Sequence, residues 1–107
     1  MATTKEYAEF ILSQIEGVTA RKMMGEYVLY YQGKVFGGLY DNRLMVKITE
    51  AGKALLPDAV QEPPYEGAKP MFLIEDVDDK EFLNRLIPAM QDQLPVPKPK
   101  KKKNTAR

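Results

Sequence analysis

The residues best placed to do chemistry lie in Met23-Met24-Gly25-Glu26-Tyr27, with Arg21 and Lys22 just before them. Gly25 would let a backbone come close to a ligand, with the Glu26 carboxylate and the Tyr27 phenol beside it. The bland reading is a turn or bulge at Gly25, with Met23 or Met24 filling core space, and it is preferred. Tyr65 stands in a proline-rich stretch and is a further candidate contact. Glu75, Asp76, Asp78 and Asp79 cluster as a cation site would. They lack the glycine and terminal glutamate of a calcium loop, and ending a strand and capping a helix explains them.

Much chemistry is excluded outright. The 107-residue chain contains no cysteine and no histidine. Thiolate metal sites, disulfides, cysteine nucleophiles and the Ser-His-Asp arrangement are therefore all unavailable. No cofactor or metal is expected, and no catalytic residue is assigned. Asp, Glu, Lys or Tyr near the 57–70 segment could still serve a small enzyme or a small-molecule-binding protein, which is the alternative reading.

The formal charge of +1 conceals two opposed parts. Lys98, Lys100, Lys101, Lys102, Lys103 and Arg107 follow Leu94 with no acid among them, leaving 10 basic against 15 acidic residues in 1–94. That body has a net charge of −5. The 95–107 segment has almost nothing to bury and is expected to be a disordered basic tail. Its lysines would attract nucleic acid weakly and without sequence preference, by releasing counterions. A solubilising tail is the alternative.

The elements that must position these groups follow from periodicity. Thr3 and Glu6 have capping-box spacing, and Tyr7, Phe10, Ile11 and Ile15 then share one helical face, predicting a helix over about 4–16. From Val18 to Ile48 aromatic and β-branched residues predict a four-strand antiparallel meander, with two-residue turns at Gln32-Gly33 and Asp41-Asn42. Gly37-Gly38 suggests a bulge or a place where a helix packs closely. Thr49 caps a short helix that Pro57 stops. The segment from Pro57 to Pro70 reads as a long surface loop, and Met71–Ile74 as a fifth strand. Asp78 and Glu81 open a last helix, which Pro88 should kink or break.

The expected fold class is thus α+β: two layers, a mostly antiparallel sheet of about five strands, and helices packed on one face. Residues 1–94 would form this domain. Both alternating sets along Tyr27–Tyr31 are apolar or aromatic, so the second face of the sheet also seeks cover, from a partner or from the long loop. Arg21, Lys22, Lys34, Arg43 and Lys47 could share that face as a basic patch, though Glu26 and Asp41 dilute it and an ordinary solvated face is preferred.

Arg21, Met23-Met24-Gly25-Glu26-Tyr27, Tyr30, Gly33 and Phe36, then Leu44-Met45-Val46-Lys47 and Pro64-Tyr65…Met71, resemble the signature of the TfoX N-terminal domain family over about residues 7–94. The resemblance implies a two-layer α+β fold. It also implies a link to competence regulation, since the family's full-length regulators act with the cyclic-AMP receptor protein at promoters. Those regulators carry a second, helical domain where this sequence has its lysine tail. The expectation is a bacterial, cytoplasmic, non-enzymatic interaction domain related to transcription, with no membrane insertion. Its partner would be a second copy, as a homodimer, or a transcription-related protein.

Overall fold

The first helix begins where a hydroxyl can satisfy free backbone amides. A computed structural model describes residues 2–94, so the basic tail lies outside the described residues. Thr4, rather than Thr3, is the cap: its Oγ1 accepts from Tyr7 N at 3.1 Å and starts α1 (Lys5–Gln14). Thr3 is instead buried and bonded to distant parts of the chain. Ala8 and Ile11 of α1, with Ile15 just beyond it, enter the core.

Four strands follow as a meander: β1 (Val18–Met23), β2 (Glu26–Tyr31), β3 (Lys34–Leu39) and β4 (Leu44–Val46). All three connections are two-residue turns with both φ angles positive. They are Met24 at 53° and Gly25 at 86°, Gln32 at 50° and Gly33 at 82°, and Asp41 at 56° and Asn42 at 58°. That is the geometry of type I′ turns, whose twist matches the strands they join. The register of β2 on β3 shifts between Leu29 and Tyr30. The shift leaves Phe36 as an extra residue, and its buried ring points into the core. Gly37 beside it faces β4 so closely that a Cβ would run into the Met45 carbonyl oxygen.

Thr49 caps α2 (Glu50–Leu55), its Oγ1 accepting from Gly52 N at 2.9 Å. The expected loop from 57 to 70 is interrupted. β5 (Gln61–Glu62) pairs antiparallel with β6 (Met71–Ile74), giving six strands in the order β1-β2-β3-β4-β6-β5. Two residues are too short a strand to show a periodicity, which is why β5 could not be read in advance.

Asp79, one residue later than expected, caps α3 (Lys80–Met90) by accepting from Phe82 N at 3.0 Å. The helix does not break at Pro88. It continues to Met90 and then tightens into a 3-10 turn at Gln91–Gln93. Pro88 sits on the exposed side of the last turn, where water can satisfy the carbonyl its missing N–H leaves free. Lys34 Nζ donates to Gln91 O at 3.0 Å, placing a cation where the helix dipole favours one.

All three helices pack on one face of the sheet. Ile11, Leu83, Leu86 and Ile87 meet Leu29, Leu44, Val46 and Phe72 in one core, and Leu55 of α2 packs against it. The fold is α+β, an open antiparallel sheet with its helices to one side.

Candidate functional site

The outer face of the sheet, away from the helices, gathers the groups singled out by sequence. Strand alternation puts Arg21 and Met23 of β1, Glu26 and Val28 of β2, and Met45 of β4 on this side. The segment after β5 folds back over it. Arg43 holds that segment in place: Nη1 contacts Glu62 Oε2 at 2.6 Å, Nη2 donates to Pro64 O at 3.3 Å, and Nε donates to Tyr40 O at 3.1 Å. Tyr65 consequently reaches Tyr40, with ring centroids 6.0 Å apart and planes tilted by 52°. Pro64 and Met45 are buried on this side. The loop covers the β3–β4–β6 half of the face and leaves the β1–β2 half open.

On the open half, Met23, Met24, Glu26, Tyr27, Val28, Tyr40 and Tyr65 line a hollow of about 470 Å³. Met24 at its lip is 98% exposed and Tyr65 62%, high for side chains of this kind. Met24 also has a left-handed backbone, which an unbranched apolar residue adopts at a cost of about 1–2 kcal/mol. The expectation that Met23 or Met24 fills core space is not met: Met23 is half exposed and Met24 stands almost wholly in solvent, because the turn carries them past the edge of the packed sheet.

Glu26 has a clear structural task as well. Its Oε1 accepts from Thr3 Oγ1 at 2.8 Å and from Asp41 N at 3.1 Å. Asn42 N donates to Thr3 Oγ1 at 3.1 Å, and Thr4 N donates to Asn42 Oδ1 at 2.9 Å. One carboxylate thus ties the start of the chain to two hairpin turns. Gly25 is occupied by the same segment: its carbonyl accepts from Thr3 N at 3.0 Å, and a Cβ on it would lie 3.5 Å from Ala2 Cβ. Burial, then the neighbouring Tyr65 phenol and Glu26 carboxylate, push the Tyr40 hydroxyl above its ordinary pKa.

The structure therefore brings Met24, Glu26 and Tyr65 to one hollow, with Arg21 on the adjoining strand, whereas the Tyr27 ring packs against the core on the helix side. Lys22 points to the helix side, in register with Tyr27. The five basic residues of the meander form no common patch, because Lys34 is spent on α3 and Arg43 on Glu62. Among the described residues, no group of acids, Glu75 to Asp79 included, is disposed to hold a metal ion.

Residues 11–89 match the TfoX N-terminal domain family, well over half of the chain. The chain belongs to the TfoX N-terminal domain family. An uncharacterized 12.7 kDa protein in the trpE 5′ region of Spirochaeta aurantia is 37% identical over 107 residues, covering 96% of this chain and 93% of that protein. No solved structure matches. Within this TfoX N-terminal domain, the motif glycine and glutamate shape and tether the β1–β2 hairpin, while the methionine before them is left in solvent.

Sequence reasoning missed Tyr40 as part of the site and gave Arg43 only as a member of a basic patch, not as the anchor of the loop. Arg43 carries only the faint signal of a cation beside a turn, since its partner Glu62 lies far along the chain. Tyr40 reads as the end of a strand, and nothing local says that Tyr65 will meet it.

Proposed function

We propose that this TfoX N-terminal domain is a non-enzymatic interaction module of a transcription-related regulatory protein, and that it docks a protein partner at the Met23–Met24 corner. The observation that carries the reading is Met24, 98% exposed and held in a left-handed turn at the lip of an apolar hollow. Unbranched, polarizable methionine suits a surface that must fit another protein's side chain. Glu26 lines the hollow, Asp41 adjoins it and Glu66 follows Tyr65, while the 1–94 body as a whole has a net charge of −5. The fitting partner is a basic protein surface offering an apolar anchor. Duplex DNA fits this corner poorly, because Arg21 and Lys22 point to opposite sides of β1 and form no row of phosphate contacts. The lysines after Leu94 would add salt-sensitive attraction to nucleic acid.

A photo-crosslinking side chain at Met24, with a control at Lys53 on α2, tests the docking in the native cytoplasm. The reading expects one adduct from Met24 alone, and a purified adduct partner whose affinity drops at least about tenfold for Met24→Asp. Equal labelling from both positions, self-adducts alone, or an affinity unchanged by the substitution would sink it. Anisotropy of labelled duplex DNA, using the full chain and a variant with the tail lysines changed to glutamine, tests the tail. Binding that vanishes in either the variant or moderate salt is the expected result, and salt-resistant binding by the variant contradicts it.

A further inference from the structure

The loop that follows β5 borders a second hollow, which shares Tyr40 and Tyr65 with the methionine corner but none of its methionines or Glu26. It holds about 440 Å³ between the sheet and residues 64–71, a volume within the range of small-molecule sites. Its walls are Val35, Ile48, Pro64 and Met71 with the rings of Tyr40 and Tyr65, and its charged lining residues are Lys47 and Lys69. No carboxylate lines it. Among the described residues neither lysine has an ion pair, although the body around them is acidic overall. An apolar slot with two unpaired ammonium groups runs against the surrounding charge, and a bound anion would supply what both lack. The Arg43 bonds to Glu62 and Pro64 pin the loop over the sheet, so little ordering remains to be done on binding.

We infer that this hollow binds a small organic anion with a flat apolar body, an aromatic carboxylate in chemical class. The ring would lie against the tyrosine pair and the Ile48–Met71 wall. The carboxylate would face Lys47 and Lys69. This goes beyond the docking reading and does not rest on it, since none of Met23, Met24 and Glu26 lines this hollow.

The test follows backbone amide NMR shifts of the full chain on titration with naphthoate, neutral naphthamide and inorganic phosphate. Naphthoate should move the resonances of Tyr40, Lys47, Tyr65 and Lys69 together. Naphthamide should bind about tenfold more weakly, and so should naphthoate to the double variant Lys47→Gln, Lys69→Gln. Both lysines are surface residues, so an otherwise unchanged spectrum will show that the variant is folded. Phosphate should not bind measurably. Equal affinity for naphthoate and naphthamide would overturn the inference by showing an apolar groove without anion recognition. So would phosphate binding as tightly as naphthoate, shifts centred elsewhere, or a double variant that binds like the parent.

Discussion

The helix face and the outer face of the sheet are built from the same strands, and β2 offers apolar side chains to both. On the helix face Leu29, Leu44 and Val46 are wholly buried under α1 and α3. On the outer face a returning loop hides Met45 and Pro64 and then stops, leaving Met23, Met24 and Tyr65 in solvent. A helix brings a long row of apolar side chains to its cover. A loop brings one or two, and must keep its own backbone amides in water or paired. One face is therefore a core, and the other is a set of hollows with a pinned rim. Apolar residues on both sides of a strand demand two covers, and the weaker cover is where binding can occur.

Breaking the sealed face should have the largest effect. Leu86→Ala, at a fully buried site, is expected to cost about 3 kcal/mol in urea unfolding. If the loss were under about 1 kcal/mol, the helix face would be no better packed than the outer one. Arg43→Met removes the loop's anchors. Its ion pair is about a third exposed on each side, so global stability should fall by no more than about 1 kcal/mol. Chymotryptic cleavage after Tyr65 should nevertheless accelerate severalfold, because the loop opens locally while the core stays shut. Unchanged cleavage would mean that the tyrosine pair, not Arg43, holds the loop.

Smaller effects sharpen the contrast. Met24→Asn puts a residue tolerant of left-handed backbone before Gly25 and should stabilise the fold by about 0.5 kcal/mol. The same change should weaken docking, as expected where a strained residue is kept for binding. Tyr40 should produce the smallest signal. Burial, with Tyr65 and Glu26, raises its pKa from the ordinary 10.0, so folding favours the protonated phenol. Its contribution is complete below about pH 10 and is lost as pH rises through the raised value. Urea midpoints should fall less steeply above pH 10 in Tyr40→Phe than in the parent, and identical slopes would contradict the assigned burial.

Much of the scaffold was legible because its signals are local. The apolar spacing of Tyr7, Ile11 and Ile15, the Gly-bearing turn at Gln32-Gly33 and the cap at Thr49 act within a few residues of themselves. The caps of α1 and α3 each lie one residue later than expected. Adjacent threonines or aspartates can both serve, and Thr3 is claimed by Glu26 and Asn42 instead. β5 and the run of α3 past Pro88 were not legible. The first exists only by pairing with β6, and the second depends on which side of the helix meets water. Of the site, the Met24–Tyr27 stretch and Tyr65 were visible singly, and their meeting was not.

By itself the sequence determined the element types, the absence of thiol and imidazole chemistry and the family. It also determined that Tyr27–Tyr31 would carry apolar or aromatic side chains on both sides. Composition, periodicity and turn preference are properties of neighbouring residues, and they survive without a fold. Only the tertiary structure decided that Arg43 would lock Glu62 and Pro64, that Tyr65 would stand over Tyr40, and that Lys47 and Lys69 would share one slot. Those contacts join residues about 20 or more positions apart, where loop closure, strand register and the choice of covered face together set who meets whom.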